Sequence, residues 1–166
     1  TKRKRAFGHP ELQPRFSILN PELTNTLPNY QTSCGAADML AHVFARYFVS
    51  TKEVDVTDKL CLAHMKGIIK NIKLTLKEPK NYDCRSKMML AGYIAHNGWL
   101  NVRRTGGDWA SHMIEHELSA EYDLAHGAGL AIIFPAWMKY VYKENLAKFE
   151  LFGKEVFRIT KTGEEG

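Results

Sequence analysis

The chain has 166 residues, 45% of them apolar and 25% charged, which are the proportions of an ordinary globular protein with one core. Its net charge is +5, but four basic residues occupy the first five positions, so the surplus does not indicate nucleic-acid binding. No apolar run is long enough to cross a bilayer, so we expect no membrane role. The three cysteines are widely spaced and form no CxxC pair, which favours a reducing, cytoplasmic location.

Residues 1–30 differ in composition from the rest of the chain. They contain four of the six prolines and one short apolar stretch, Phe16–Leu19, which predicts a single strand between turns. One strand cannot bury its own face or satisfy its own backbone. We therefore expect residues 1–30 to be a lead segment that belongs to a sheet built mostly by another domain.

Apolar residues between 31 and 166 recur at the spacing of amphipathic helices. Because Met88–Ala95 is almost wholly apolar, we expect the third predicted helix, Asn81–His96, to be central. Asp55 or Thr57 can cap the second predicted helix, around Cys61–Leu76, and Asp108 can cap the fourth, from Trp109 onward. The fold class is therefore mainly α, a helical bundle with a short strand-bearing lead. Its predicted helices lie around Leu40–Phe48, Cys61–Leu76, Asn81–His96, from Trp109 onward and through Ile132 and Phe134, with an amphipathic tail from Glu144.

Histidines and one carboxylate recur at helical spacing. Asp38 and His42 are four residues apart, which places them one turn apart on the same helix face, and His112 and His116 repeat that spacing. His126 follows ten residues later, just before the fifth helix. Each piece alone is common and is usually structural, but their joint occurrence predicts a metal site.

Oxygen and imidazole ligands of this kind suit Fe2+, Zn2+, Co2+ or Ni2+. No thiolate is needed, so the cysteines need not take part. Four protein ligands leave room for a substrate oxygen only if the metal exceeds four-coordination, which Fe2+ accepts more readily than a structural zinc ion does. Such a metal would lower the pKa of a bound alcohol and so favour hydride loss from the neighbouring carbon.

The stretch Trp109–Pro135 resembles the signature of the iron-containing alcohol dehydrogenases, and most of all their butanol-dehydrogenase-type members. That signature places a histidine, a second one four residues on and a third fourteen residues after the first, followed by glycine; here these are His112, His116, His126 and Gly127. The upstream pattern Gly-x-x-Asp-x-x-x-His of the family fits Gly35, Asp38 and His42, and the segment 16–32 is similar to the family's crossing from its nucleotide domain.

The resemblance implies the fold, the cofactors and the roles of individual residues. The fold would be the helical C-terminal domain of the dehydroquinate synthase-like, iron alcohol dehydrogenase architecture, with residues 31–166 as the metal-binding domain. Fe2+, or Zn2+ or another divalent metal, would bind to Asp38, His42, His112 and His126. His116 would lie near the nicotinamide and the substrate, in proton relay rather than ligation, and Lys4 would contact the dinucleotide.

The sequence departs from the family pattern in one large respect. Family members begin with an α/β domain that binds NAD or NADP through a glycine-rich turn, and these 166 residues contain no such domain; the C-terminal helices also look cut short. We therefore expect a domain or fragment of an NAD(P)H-linked enzyme for primary alcohols and aldehydes such as butanol and butanal. It could pair as a homodimer, and alone it would bind metal without efficient turnover.

Two other functions remain open from the sequence. His112-Met113-Ile114-Glu115-His116 fits the HxxEH motif of a zinc peptidase, in which Glu115 would be the general base and Glu144 or Glu150 a further ligand. Alternatively, the polar cluster is structural and the chain is a non-catalytic helical domain. Stoichiometric metal in the purified protein would favour the dehydrogenase or the peptidase over the non-catalytic domain.

Overall fold

The computed structural model describes residues 3–5, 7–104 and 106–162. The predicted helical bundle is confirmed, and no helix among these residues is both long and apolar enough to cross a membrane. Residues 1, 2 and 6 of the predicted lead, and 105 and 163–166 of the predicted helical region, lie outside this description. The six α-helices are α1 Asn29–Tyr47, α2 Asp55–Lys77, α3 Tyr82–His96, α4 Ala110–Tyr122, α5 His126–Val141 and α6 Leu146–Phe157. Short 3-10 helices lie at Pro10–Leu12, Pro21–Thr24, Trp99–Asn101 and Tyr142–Asn145.

The strand predicted at Phe16–Leu19 is wrong, since the part of the chain that the structure describes contains no β-strand. The side chains of Phe16 and Ile18 are 81% and 86% exposed. A strand needs the N–H and C=O groups of a neighbouring strand, and no described segment supplies them. The lead instead contains two short helical turns that begin at prolines, capped by the side chains of His9 and Asn20.

Helix α1 lies at the centre of the bundle, where it contacts α2, α3 and α5. Its predicted apolar face is buried, with Val43 and Tyr47 at 0% exposure, and α2 contributes Met65 and Ile68 to the same core. Full burial of each such side chain contributes about 1.5–3 kcal/mol to folding. The central helix therefore carries the residues Asp38 and His42 on a rigid support.

The prediction that α3 is the central helix is wrong. Its residues Leu90 and Tyr93 are 55% and 48% exposed, although α3 packs against α1, α2 and the 3-10 helices at Pro21–Thr24 and Trp99–Asn101. Apolar composition alone does not determine how many other elements a helix contacts.

The predicted cap of α2 also differs from the structure, since Asp55 lies inside the first turn and the Thr57 hydroxyl donates to Val102 O at 3.3 Å.

The start of α4 is fixed to α1. The Asp108 side chain accepts a hydrogen bond from the Ala110 backbone N–H at 2.9 Å, as the predicted cap requires. The backbone N–H of Asp108 donates to Ala45 O near the end of α1 at 2.7 Å. These two bonds set where α4 leaves the loop, and so where its histidines lie relative to α1.

The start of α5 lies directly against α1 at Gly127. A Cβ atom added to Gly127 would lie 1.9 Å from the carbonyl oxygen of Cys34, a backbone atom that cannot move aside alone. Only glycine permits this approach. Because His126 precedes Gly127 as the first residue of α5, the same contact brings His126 towards α1.

We expect Gly127→Ala to lower the free energy of unfolding by at least about 2 kcal/mol, because α5 must move away from α1. Gly67→Ala on α2 is the matched control, since its added Cβ meets nothing within 4 Å. That control should be neutral or stabilising by up to about 1 kcal/mol, because alanine favours a helix. Urea unfolding followed by circular dichroism measures both changes, and equal stability of the two variants would contradict this account of the helix contact.

Candidate metal centre

The four residues predicted to bind metal lie together at the meeting of three helices. Asp38 and His42 come from α1, His112 from α4 and His126 from the first position of α5 rather than from a loop. Asp38 Oδ1 lies 3.7 Å from His42 Nε2 and 3.5 Å from His126 Nε2. Asp38, His42 and His112 each offer one ligand atom within 4.8 Å of the others, and the rings of His112 and His126 are 5.6 Å apart.

The spacing and the hydrogen bonding of these groups fit a divalent cation. Four ligands at roughly 2.1 Å from Zn2+ or Fe2+ are separated from one another by about 3.4 Å. Asp38 Oδ1 and both ring nitrogens of His112 are buried, and none of them has a hydrogen-bond partner among the described residues. Buried polar atoms without partners are costly unless a ligand satisfies them. The cluster therefore has the geometry and the free lone pairs that a shared cation requires.

The surroundings keep two of the histidines neutral, which is the form that binds metal. Burial and the neighbouring His96 lower the pKa of His42 to about 3. Burial is also the main cause that lowers the pKa of His112 to about 4, although Asp38 acts in the opposite direction. Both rings can therefore offer a lone pair at neutral pH.

His96, at the end of α3, binds the outer oxygen of Asp38. Its Nε2 lies 3.2 Å from Asp38 Oδ2 and its Nδ1 lies 2.6 Å from Gly92 O. The hydrogen bond with Asp38 raises the pKa of His96, against the effect of burial. Burial of Asp38 opposes its ionisation, but the bond from His96 and the charges of nearby histidines lower its pKa overall. His96 thus leaves Oδ1 as the oxygen that faces the other ligands.

A second polar set lies beside the first and consists of Glu115, His116 and His126, whose ligand atoms are also within 4.8 Å of one another. Lys4 of the lead already supplies a cation here, because its Nζ is 3.2 Å from His126 Nδ1 and 3.7 Å from Glu115 Oε2. A metal ion in this set would be repelled by the ammonium group. We therefore regard Asp38, His42, His112 and His126 as the metal centre, with Glu115 and His116 beside it.

The sequence placed His116 and Lys4 near the site but outside the ligand set, and the structure places both in the second polar set. The ring of His116 lies 5.1 Å from that of His126, and burial, followed by the charge of Lys4, lowers the pKa of His116. The Lys4 side chain is 37% exposed, so it remains open to a bound molecule. Neither position tests the roles in proton relay and dinucleotide binding.

The geometry disfavours the zinc-peptidase hypothesis. That hypothesis needs His112 and His116 on one ion with the Glu115 carboxylate free to activate water. Instead His112 groups with the ligands of α1, whereas His116 groups with Glu115 and His126. The Glu115 side chain is 0% exposed and contacts the Ser119 hydroxyl and His126 Nδ1, so it is not placed to act on a substrate.

Sequence reasoning missed the contacts of Glu115 and His96. Glu115 lies three residues after His112 on α4, and this helical spacing could have indicated a carboxylate that supports a metal-binding histidine. For His96 the sequence holds no such signal, since its contact with Asp38 depends on how α3 packs against α1. His64 lies outside the cluster, where its Nε2 is 2.9 Å from Ala91 O.

Comparison with known proteins identifies the family. The C-terminal model of the iron-containing alcohol dehydrogenase family matches residues 32–166. This match covers most of the chain, and the chain therefore belongs to that family. The resemblance inferred from Trp109–Pro135 is confirmed.

Two curated relatives are 40% identical to the chain. One is the probable NADH-dependent butanol dehydrogenase 2 of Bacillus subtilis strain 168, aligned over 98% of this chain and 42% of the relative. The other is NADH-dependent butanol dehydrogenase B of Clostridium acetobutylicum, aligned over 97% of this chain and 41% of the relative. The chain spans about two fifths of the length of the curated relatives it matches.

Solved structures show the same fold. The NADH-dependent butanol dehydrogenase A of Thermotoga maritima superposes with a TM-score of 0.94 at 42% identity, over 99% of this chain and 41% of that protein. The YqhD protein of Escherichia coli K-12 superposes with a TM-score of 0.93 at 32% identity, over 99% of this chain and 42% of that protein. These similarities confirm the helical C-terminal domain as the fold.

We expect His112→Leu to abolish binding of a divalent metal without destabilising the metal-free chain. The substitution removes two buried nitrogens that lack partners and keeps a similar volume, so the free energy of unfolding should stay constant or rise by about 1 kcal/mol. His64→Leu is the matched control, because it removes a half-buried histidine that is hydrogen-bonded. It should lower stability by about 1 kcal/mol and leave metal affinity unchanged. Thermal unfolding with and without Co2+ measures both effects; marked destabilisation of the metal-free His112→Leu chain would indicate a structural histidine.

Proposed function

We propose that this chain is the metal-binding part of an NAD(P)H-linked oxidoreductase that interconverts primary alcohols and aldehydes of the butanol type. One observation supports this function above all: Asp38 Oδ1 lies within 3.7 Å of nitrogens of His42 and His126, and this oxygen and both ring nitrogens of His112 are buried without hydrogen-bond partners among the described residues. The names of the relatives from B. subtilis and C. acetobutylicum indicate the substrate class and the cofactor.

In this proposal Asp38, His42, His112 and His126 hold one divalent ion. Their oxygen and nitrogen atoms suit Fe2+, and Zn2+ is also compatible with them. When bound, such an ion would polarise the oxygen of the alcohol or aldehyde. Burial of His42 and His112 serves this role because it keeps both rings unprotonated at neutral pH.

His116 and Lys4 are proposed to act beside the ion rather than on it. His116 is half-buried, and its lowered pKa keeps the ring neutral, which is the form that can accept a proton from the substrate oxygen and pass it to solvent. The partly exposed ammonium of Lys4 can contact the dinucleotide. The free, buried cysteines Cys34, Cys61 and Cys84 are consistent with a cytoplasmic enzyme.

The nicotinamide cofactor must come from a further domain in this proposal. Hydride transfer needs the cofactor to be held against the substrate carbon, and the relatives are more than twice as long as this chain. The exposed apolar side chains Phe16 and Ile18 of the lead would be covered by that domain. A homodimer of the complete enzyme is compatible with this arrangement.

A chimera tests the proposed activity directly. The aligned segment of the B. subtilis relative would be replaced by this chain, so that the relative supplies its remaining part. We expect NADH-linked reduction of butanal that a chelator abolishes and that Asp38→Ala lowers by at least about 1000-fold, because the ion loses its carboxylate. Asp83→Ala is the control, since Asp83 is an exposed acid at the start of α3. A folded, metal-loaded chimera without activity would contradict the proposal.

The 166-residue chain alone should bind one divalent ion without reducing butanal, because in this proposal a further domain holds the cofactor against the substrate. Elemental analysis after purification without added metal measures the first result, and NADH oxidation at 340 nm measures the second. Hydrolysis of casein that is lost in Glu115→Gln but kept in Asp38→Ala would instead support the peptidase. Efficient reduction of butanal by the chain would show that the cofactor requirement is wrong.

A further inference from the structure

The carboxylate of Glu115 is fully enclosed between α4 and α5. Its side chain is 0% exposed, Oε1 accepts a hydrogen bond from the Ser119 hydroxyl, and Oε2 contacts His126 Nδ1. Gly129 makes the space for it, since an added Cβ there would lie 2.5 Å from Oε1. A buried carboxylate is costly unless every oxygen is paired. Both oxygens are paired here, and the partner of Oε2 is one of the predicted metal ligands.

The contact between Glu115 and His126 determines which nitrogen of the imidazole carries the proton. A carboxylate oxygen can only accept, so the hydrogen of the contact lies on His126 Nδ1. The ammonium of Lys4 lies 3.2 Å from His126 Nδ1 and 3.7 Å from Oε2; because an ammonium can only donate, it does not bond the protonated Nδ1 and stabilises the Glu115 carboxylate through its charge. His126 Nε2 is then left with a free lone pair, and it is this nitrogen that lies 3.5 Å from Asp38 Oδ1.

We propose that Glu115 is a positioning residue that fixes the tautomer and the ring orientation of His126, so that Nε2 faces the metal. This inference rests on the proposed metal site. Carboxylates that accept from the outer nitrogen of a metal-binding histidine also increase the basicity of the inner nitrogen. Ser119, Lys4 and Gly129 hold the carboxylate in place, and none of them contacts Asp38 directly in the described contacts.

The alternative is a purely structural role, in which Glu115 only connects α4 to α5. In that case its loss would weaken folding and metal binding together. Under our proposal, loss of its charge weakens metal binding specifically and alters the state of the His126 ring. The two accounts differ in what the near-isosteric variant Glu115→Gln does to a chain that remains folded.

The first experiment measures Co2+ affinity by competition with a chelator. Glu115→Gln keeps the shape and should raise the dissociation constant about 10-fold, whereas Glu115→Ala should raise it about 100-fold. Glu117→Gln is the matched control, because it removes the same charge from an exposed position on the same helix, and its affinity should be unchanged. Circular dichroism melting of the metal-free chains shows whether each variant is folded.

The second experiment observes the histidine ring itself. In the Zn2+-bound chain, 15N shifts of His126 should identify Nε2 as the coordinated nitrogen and Nδ1 as protonated and hydrogen-bonded. The Nδ1–H signal should lose its hydrogen-bonded shift in Glu115→Ala and keep it in Glu117→Gln. If folded Glu115→Ala keeps the same Nδ1–H signal and the same coordinated nitrogen, the carboxylate does not fix the ring and the proposal is overturned.

The outcomes separate this inference from the function on which it rests. If the unmodified chain binds neither Co2+ nor Zn2+, the proposed function fails and this inference fails with it. If the unmodified chain binds metal but the folded Glu115 variants bind equally well, only the role of Glu115 is overturned. Coordination of His126 through Nδ1 would overturn it as well.

Discussion

The oxygen Asp38 Oδ1 lies where side chains from three helices, α1, α4 and α5, come together. Nitrogens of His42 and His126 lie within 3.7 Å of it, and His112 completes the cluster without a hydrogen-bond partner for either ring nitrogen among the described residues. Electron-rich atoms repel one another in a partly buried environment unless a cation lies between them. The helices that carry these groups must therefore be held together by contacts elsewhere, and a bound divalent ion would add to them.

Those contacts are made by small residues and by backbone hydrogen bonds. Gly127 brings the start of α5 against the carbonyl of Cys34, and Gly129 makes room for the buried carboxylate of Glu115. The N–H of Asp108 binds the end of α1 and fixes α4 in the same frame. The core beneath α1 supplies the stability that a cluster of unpaired polar atoms lacks, because large buried side chains such as Tyr47 offset that cost.

Charges around the cluster alternate in sign from the centre outward. His96 binds the outer oxygen of Asp38, Glu115 binds the outer nitrogen of His126, and Lys4 neutralises Glu115 from the lead segment. The atoms that these partners leave free, Asp38 Oδ1 and His126 Nε2, lie 3.5 Å from each other. Because the lead supplies Lys4, this support joins residues that are 122 positions apart in the chain.

Apolar periodicity predicts the helices and their buried faces, and the spacing of His112, His116 and His126 predicts the family, because both are local properties of the chain. Helical spacing places Asp38 and His42 on one face, and the resemblance to the family implied the four residues of the cluster. Helix packing makes α1 rather than α3 central, leaves Phe16–Leu19 without a neighbouring strand among the described residues, and brings His96 and Glu115 into contact with Asp38 and His126. These features depend on contacts between helices that are far apart in the sequence. Periodicity identifies the apolar face of a helix but not the element that packs against it.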